Sequence, residues 1–261
     1  MALTKEPIPV AVTLRGNVGE YAGEYARSKI STALGVAHGP VLTAHVVLDW
    51  RHNPAAENHA IAEASANVDG LMVRAKTAAS TMPEAVDDLE SRLHRQLAQL
   101  QDRIRTRHRR TRIPAEHQWR HGDLPRHRVP YFPRSEETRE VVRHKSFAST
   151  PMTAEQAAYE MDLLDHDFFL YRDAASGRPS LVHHLPAGGY GVQGAESDET
   201  TASMSQAPPP PPPPSLTEGQ ARARLEAAGE PFVFYLDAGT GAGCVLYRRY
   251  DGHYGLIVLA D

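Results

Sequence analysis

The chain of 261 residues contains a single cysteine, Cys244. One cysteine excludes an internal disulfide and gives a thiolate metal site no second ligand, so Cys244 is expected to be a small buried apolar side chain. No apolar run is long enough to cross a membrane, and the first ten residues, MALTKEPIPV, lack the apolar core of a signal peptide. The sequence therefore predicts a cytoplasmic protein without a membrane partner.

A strong net charge is also missing. The formal charge is −4, which by itself indicates no polyanionic partner, although an average can conceal a local field. Residues 92 to 145 contain 15 Lys and Arg against 6 Asp and Glu, so the rest of the chain carries −13. The densest part is RIRTRHRRTR, from Arg103 to Arg112. A run of this kind is most often a solvated helix end. Its position in the chain, described next, gives a binding role more weight.

Residues 1–110 are predicted to form an α+β domain. IPVAVTLRG alternates as a half-buried strand does, and the next segment has the spacing of an amphipathic helix. Three further strands are predicted within residues 41–51, 57–68 and 71–78, with Asp69-Gly70 as a hairpin turn. A long helix with one apolar stripe ends the domain, and its arginine-rich end should project beyond the sheet. The expected order is β-α-β-β-β-α, with two helices on one face of a small sheet.

Residues 111–140 lose this periodicity and are basic and rich in proline, as a linker is. The linker contains three histidines, His117, His121 and His127. Without cysteines or a helical framework they do not form the ligand set of a metal site. We therefore predict no metal here.

After the linker the sequence repeats itself. Shifted by 64 residues, MTAEQAAYEMDLLDHDFFLYRDAASGRPSLVHHLPAGGYGVQ aligns without a gap with LTEGQARARLEAAGEPFVFYLDAGTGAGCVLYRRYDGHYGLI, which is a strong repeat signal. Copy 1 is predicted in residues 141–194 and copy 2 in residues 215–261, each with a short helix followed by three strands. Residues 195–214 separate the copies with an acidic stretch and the seven prolines Pro208–Pro214, which favour an extended rod.

Each copy is too small to bury much apolar surface alone, and pairing of the two copies would cover their exposed strands. The aromatic residues of the strands are predicted to make this contact: Phe168, Phe169, Tyr171, Phe232, Phe234, Tyr235 and Tyr247. The alternative is two globular repeats that never touch. Copy 1 has a full leading strand, VVRHKSF, but a weak end, whereas copy 2 has a full end preceded only by prolines.

Taken together, these segments resemble the long-form ribosome hibernation promoting factors. RLHRQL in the last helix of the first domain is the most specific piece, and VVRHKSFASTPMTAEQAAYEMDLLDHDFFLY is similar to the dimerisation module of that family. The resemblance implies a first domain that sits in the decoding channel of the small ribosomal subunit, against 16S rRNA and neighbouring ribosomal proteins. There it would block mRNA and tRNA and keep 70S ribosomes idle. Pro83 departs from the family pattern, which usually has an aromatic residue at that position.

Attraction to RNA depends on Lys and Arg that face phosphates. Arg92 and Arg95 correspond to the family motif. The other candidates follow from charge alone: Arg27, Lys29, Arg74, Lys76, Arg103, Arg105, Arg107, Arg109 and Arg110.

The two copies can pair in two ways. A tether of about 20 residues gives them a mutual effective concentration near the millimolar range, so we expect pairing within the chain and binding to single ribosomes. The alternative is pairing between chains, which in the resembling family joins two ribosomes into a 100S particle.

An enzyme, such as a nuclease, is a third alternative. Asp49, His52 and His59 lie on predicted strands in plausible proximity, but no spacing matches a metal or triad signature. Asp87, Asp88 and Glu90 are typical of a solvated helix face. The sequence predicts a protein that is not an enzyme and needs no cofactor.

Overall fold

The computed structural model describes residues 8–52, 58–109, 131–186, 188–194 and 212–260, with the backbone alone for residues 102–109. The described residues form two compact units. The first contains residues 8–109 together with Asp162–Asp165, and the second contains the other described residues. None of the described helices is both long enough and apolar enough to span a membrane.

The first unit is a four-stranded sheet with two helices. Its elements are β1 (Ala11–Arg15), α1 (Glu20–Leu34), β2 (Val41–Trp50), β3 (Ala60–Val68), β4 (Leu71–Ala79) and α2 (Met82–Arg109). The strands lie in the order β1-β2-β3-β4, with β1 parallel to β2 and the other pairs antiparallel. The predicted β-α-β-β-β-α order is confirmed.

Both helices pack on the same face of this sheet. On that face β3 presents small buried residues, among them Ala64 and Ala66, which allow a helix to lie close to the strand. The predicted apolar stripe of α2 meets them with Leu89, Leu93 and Leu97, all buried. The other face of the sheet carries the partly exposed side chains of the same strands.

The turn between β3 and β4 forms at the predicted dipeptide. Asp69 and Gly70 have φ values of 51° and 86°, and a type I′ turn requires positive φ at both central residues. Asn67 Oδ1 accepts a hydrogen bond from the N–H of Gly70 at 2.9 Å. This turn sets the register of the last two strands.

The second unit contains both copies of the repeat, except Asp162–Asp165 of copy 1. Copy 1 consists of β5 (Val141–Ala148), α3 (Ala154–Leu163), β6 (Phe168–Arg172), β7 (Pro179–His184) and β8 (Tyr190–Gln193), and copy 2 of β9 (Ser215–Leu216), α4 (Glu218–Ala228), β10 (Phe232–Asp237), β11 (Gly243–Arg248) and β12 (Tyr254–Ala260). From α3 to β8, every element begins 64 residues before its counterpart from α4 to β12. The structure thus follows the ungapped repeat of the sequence.

One strand crosses between the copies. Strands β6, β7 and β8 form a three-stranded sheet, whereas the other sheet has the order β5-β12-β11-β10-β9. β5 therefore leaves the copy in which the sequence placed it, residues 141–194, and pairs in parallel with β12. The acceptor strand β12 has seven residues and β8 has four, so copy 2 offers the longer edge.

Three apolar clusters stabilise the second unit. Below α3, Tyr171 and Val182 belong to the core of copy 1. Below α4, Tyr235 and Leu246 belong to the core of copy 2 together with Cys244, which is buried as expected. Burial raises the pKa of the Cys244 thiol to about 11, so the thiol stays protonated. The third cluster lies between the two sheets and contains residues of both copies.

Candidate RNA-binding surface and pairing of the two copies

Two of the candidate cations lie on α1 and have partners. Lys29 Nζ is 2.9 Å from Asp87 Oδ1, and the Tyr25 hydroxyl donates to the same oxygen at 2.7 Å. These hydrogen bonds from Tyr25 and Lys29 lower the pKa of Asp87, and the Asp87 contact raises the pKa of Lys29. Arg27 is exposed, and its Nε donates to the carbonyl oxygen of Val10 at 3.3 Å. Lys29 thus has a carboxylate partner at the surface, whereas Arg27 is exposed without an acidic partner among the described contacts.

Four more candidates lie on β4 and α2. Val73 is buried on the helix side of β4, so Arg74 and Lys76 lie on the opposite face of the sheet. Arg95 is exposed on α2. Arg92 is half-buried, and its guanidinium donates at 2.5 Å to the carboxylate of Asp165 within the same compact unit. Of the two arginines that correspond to the family motif, Arg95 is therefore more accessible than Arg92.

The candidate cations whose side chains are described do not form a single patch. Those of α1 and α2 lie on the helical side of the unit, and those of β4 lie on the opposite side. Arg103, Arg105, Arg107 and Arg109 lie on the last turns of α2, where only the backbone is described, and Arg110 lies outside the described residues. α2 has 28 residues and β3 has nine, so the helix, at about 42 Å, exceeds the strand, at about 30 Å.

The residues considered for an enzyme have other contacts. Asp49 accepts a hydrogen bond from Arg51 Nε at 2.5 Å, and His59 Nδ1 lies 3.0 Å from the carbonyl oxygen of Arg51. The side chain of Asp87 is half exposed and also binds Tyr25 and Lys29. Within the described ranges no three His, Cys, Asp or Glu side chains are grouped as a metal site would need. The histidines of the linker lie outside those ranges.

Aromatic rings of the two copies meet between the two sheets. The Phe168 ring of copy 1 lies 4.8 Å from the Phe232 ring of copy 2 and 5.6 Å from that of Tyr247. Phe234 belongs to the same cluster. The His183 ring of copy 1 also contacts Phe232, at 5.5 Å. Four of the seven residues proposed for pairing therefore lie at the contact between copies.

The other three proposed pairing residues lie elsewhere. Phe169 and Tyr171 pack in the core of copy 1, and Tyr235 packs in the core of copy 2. The cause is the alternation of side chains along a strand, since neighbouring residues point to opposite faces. Sequence reasoning also missed a set of residues in the shared cluster: Phe147, Leu170, Leu181, Val245, Ile257 and Leu259. Counting every second residue from Phe168 would have found Leu170.

A charged cluster attaches the segment before β5 to copy 2. Glu226 of α4 accepts hydrogen bonds from Arg139 at 2.5 Å, from Arg248 and from the Tyr254 hydroxyl. Burial raises the pKa of Glu226, but the hydrogen bonds from Tyr254 and Arg139 and the charge of Arg248 outweigh it, so the pKa is lowered. Arg222 donates to the carbonyl oxygen of Arg139 at 2.8 Å. We call Arg139, Arg222, Glu226, Arg248 and Tyr254 the Glu226 cluster.

Part of the predicted linker also lies along copy 2. The N–H of Phe132 donates to the carbonyl oxygen of Tyr250 at 2.9 Å, and the rings of Tyr131 and Tyr250 stack at 6.3 Å. The chain is thus held to copy 2 from residue 131 through β5.

The edge of β8 has no equivalent donor strand among the described residues. Residues 205–212 occupy the positions that correspond to β5, and five of these eight residues are proline. Proline has no N–H for a strand ladder. The acceptor side differs as well, since Ile257, Val258 and Leu259 of copy 2 correspond to Gln193, Gly194 and Ala195 of copy 1. Copy 1 thus provides a donor strand and copy 2 provides the acceptor.

Two family profiles match the chain. Residues 11–105 match the family described as "Sigma 54 modulation protein / S30EA ribosomal protein". Residues 136–192 and residues 212–256 both match "Sigma 54 modulation/S30EA ribosomal protein C terminus". Both copies are therefore similar to the same C-terminal domain.

Individual proteins show the same similarity. The "Dormancy associated translation inhibitor" of Mycobacterium tuberculosis is 32% identical over 130 residues, which cover 45% of this chain and 46% of that protein. The match thus spans less than half of that relative. The "Ribosome hibernation promotion factor" of Deinococcus radiodurans is 30% identical and is covered over 93% of its length, by 68% of this chain. That of Picosynechococcus is 24% identical, with 94% of its length and 69% of this chain covered.

Among solved structures, the Thermus thermophilus Protein Y N-terminal domain is 20% identical. The match covers 36% of this chain and 99% of that domain, with a TM-score of 0.31.

Proposed function

Because the chain belongs to the ribosome hibernation promotion factor family, we propose that its first unit occupies the decoding channel of the small ribosomal subunit while its two C-terminal copies pair within one chain. In that position the protein excludes mRNA and tRNA and keeps single ribosomes idle. The ribosome as partner also implies that the protein acts in the cytoplasm.

Binding of the first unit to RNA is supported by the location of the positive charge. The basic excess begins at Arg92 on α2 and continues through the linker, while the rest of the chain is acidic. Such an arrangement attracts phosphates without reading base sequence. Among the helix residues whose side chains are described, Arg27 and Arg95 are the exposed candidate cations. We therefore assign them to phosphate contacts.

The observation that carries the proposal on pairing is the transfer of β5 to the sheet of copy 2. The parallel ladder runs from Val141 beside Tyr254 to Ala148 beside Ala260. Most of β5 is exposed, so the ladder, the Glu226 cluster and Phe147 in the shared apolar cluster hold it in place. These three sets of contacts would have to break together before β5 could leave.

In the described part of the chain there is one donor strand and one acceptor edge of this kind. When β5 occupies β12 in the same chain, neither is left for a second molecule. The short tether favours that outcome, because an effective concentration near the millimolar range exceeds that of a partner in solution. A protein paired internally has no module with which to join a second ribosome.

Sedimentation of ribosomes mixed with saturating purified protein tests the proposal. We expect the protein to migrate with single ribosomes and the amount of bound protein to fall steeply as salt rises, since phosphate contacts release counterions. An abundant two-ribosome peak would instead mean that the copies pair between chains. Absence of the protein from every ribosomal fraction at low salt would refute small-subunit binding itself.

A further inference from the structure

The end of the β2–β3 hairpin carries three rings that neither the charge of the first unit nor the pairing of the copies explains. Trp50 ends β2, His52 follows it, and His59 precedes β3. The ring centroids of Trp50 and His59 are 5.9 Å apart, and the His52 ring meets that of His59 edge-on at 6.2 Å. Trp50 and His59 are half-buried and His52 is exposed. The three rings thus form a small aromatic surface at the edge of the unit, the hairpin-tip cluster.

Backbone contacts hold the hairpin-tip cluster in place. The N–H of Arg51 donates to the carbonyl oxygen of His59 at 2.9 Å, and Trp50 lies beside Ala60 in the strand ladder. The end of β1 closes against the same position. Gly16 has a φ of +70°, and a Cβ there would lie 2.4 Å from the carbonyl oxygen of Trp50. Rings fixed in this way lose little conformational entropy when a ligand stacks on them.

Two arginines lie on the backbone next to the hairpin-tip cluster, Arg51 directly after Trp50 and Arg15 at the end of β1. Arg51 Nε donates to Asp49 Oδ2 at 2.5 Å, and Arg15, exposed at the end of β1, lies beside Asp49 in the ladder. These residues supply two positive charges against one negative charge. Accessible aromatic rings suit an unpaired nucleotide, whose base stacks on a ring, and the local excess of positive charge suits its phosphate.

We propose that Trp50, His52 and His59 form a stacking site for an unpaired base of RNA. This inference rests on the proposed binding to the small subunit and adds a contact of a different kind. A stacked base contributes affinity that does not depend on counterion release, so its contribution persists at salt concentrations that weaken the phosphate contacts. The base belongs either to ribosomal RNA or to a single strand such as mRNA.

Tryptophan emission tests the site without altering it. The chain has two tryptophans, Trp50 and Trp119, so Trp119→Phe in the full-length protein leaves Trp50 as the reporter. We expect quenching of Trp50 emission when vacant small subunits are added. Quenching by an unstructured oligoadenylate as well assigns the base to a free single strand, whereas quenching by subunits alone assigns it to ribosomal RNA.

Other outcomes overturn the inference. Unchanged Trp50 emission while the protein still sediments with the subunits removes the stacking site and leaves the proposed function intact. Quenching by ribosomal proteins freed of RNA with nuclease assigns the surface to a protein partner. That result also overturns the inference. If the protein neither sediments with subunits nor changes its emission, both the inference and the proposed function fail.

Affinity measurements on variants give an independent readout. Trp50→Leu should weaken binding to small subunits roughly ten-fold or more at moderate salt, and Trp50→Phe should retain most of it, because only the second keeps a π-face. Tyr21→Leu is the matched control, since Tyr21 is an exposed aromatic residue of the same unit with 77% of its surface accessible. Circular dichroism checks that each variant is folded. Equal affinity of Trp50→Leu and the unaltered protein would disprove the site.

Discussion

Copy 1 and copy 2 have the same order of elements at a constant offset, yet they play opposite parts in their contact. Copy 1 supplies β5 and ends in a strand of four residues, whereas copy 2 is preceded by prolines and ends in a strand of seven residues. The shared apolar cluster takes residues from corresponding positions of both, as Phe168 and Phe232 show. The apolar contact is therefore roughly symmetric, while the strand exchange runs in one direction.

The charged contacts follow the same asymmetry. Glu226, Arg248 and Arg222 of the Glu226 cluster correspond to Asp162, His184 and Ala158 in copy 1. Asp162 is one methylene shorter, and Ala158 cannot donate a hydrogen bond through its side chain. Copy 1 therefore lacks the residues that hold a leading strand. A duplicated module can thus become a donor and an acceptor through changes at few positions, and such a pair needs only one crossing strand.

Truncation of Phe232 should have the largest effect on the contact between copies. Phe232→Ala is expected to lower the free energy of unfolding of the second unit by about 3–5 kcal/mol, because it removes a buried ring. Phe168→Ala should cost less, since Phe168 is only half-buried. Urea denaturation followed by hydrogen exchange of the full chain measures both. Val142→Ala, at an exposed position of β5, should change stability by less than about 0.5 kcal/mol.

Removal of the Glu226 carboxylate should release the leading strand. Glu226→Ala leaves Arg139 and Arg248 without their partly buried counter-charge, which costs about 2 kcal/mol. We expect faster hydrogen exchange of the β5 and β12 amides than of those in β6 and β7. Asp162→Ala, at the corresponding position of copy 1, should leave β5 protected. Equal loss of protection in the two variants would contradict the asymmetry.

Added methyl groups should affect both copies alike. A Cβ on Gly255 would lie 2.3 Å from Tyr247 Cζ, and one on Gly191 would lie 2.5 Å from His183 Nε2. Gly255→Ala and Gly191→Ala should each destabilise the second unit by about 1–3 kcal/mol through overpacking. Gly219→Ala is the control, because no atom lies within 4 Å of its added Cβ. Thermal unfolding would separate the control from the other two variants.

Acid should weaken the acceptor copy through Glu226. Its pKa is lowered in the folded unit, so its contribution to stability is present above the pKa of the unfolded chain and is lost as pH falls through the folded value. We expect protection of β5 to decline below about pH 4, before that of β6 and β7. Glu226→Gln should remove this step. Hydrogen exchange measured as a function of pH would show it, and the same pH dependence in the glutamine variant would argue against this assignment.

Reversal of one exposed charge should have the smallest effect. Arg95→Glu is expected to weaken ribosome binding several-fold and to make the salt dependence less steep, because about one phosphate contact is lost. Arg224→Glu is the matched control on the exposed surface of α4. Arg222 is unsuitable for this purpose, since it binds Arg139. Co-sedimentation at two salt concentrations compares the two variants. Equal weakening of ribosome binding would mean that each charge acts only through the net charge of the protein.

The sequence predicted the strands, the helices and the repeat because each has a local signature. Alternation gave β1, the leucine spacing gave α2, and Asp69-Gly70 gave the hairpin turn. The destination of β5 has no such signature. A parallel pair between distant segments depends on which edge is longer and on the contacts of Glu226, and neither follows from VVRHKSF alone. The sequence showed only that each copy was incomplete at a different end.

The candidate sites were predicted less completely for a related reason. Charge predicted Lys29 as an RNA contact, but its ion pair with Asp87 depends on the packing of α1 against α2. Aromatic composition identified Phe168 and Tyr171 together, although one faces copy 2 and the other faces the core of copy 1. The hairpin-tip cluster contains residues at the adjoining ends of two strands. Trp50 lies next to His59 only because of the register between β2 and β3.

Light scattering of the free full-length protein over a wide concentration range tests the pairing most directly. If β5 fills the acceptor edge of its own chain, the mass stays that of one chain from the most dilute to the most concentrated sample. A mass that rises to two chains with concentration, and falls again when Phe232 is replaced by Ala, would show that donor and acceptor meet between molecules.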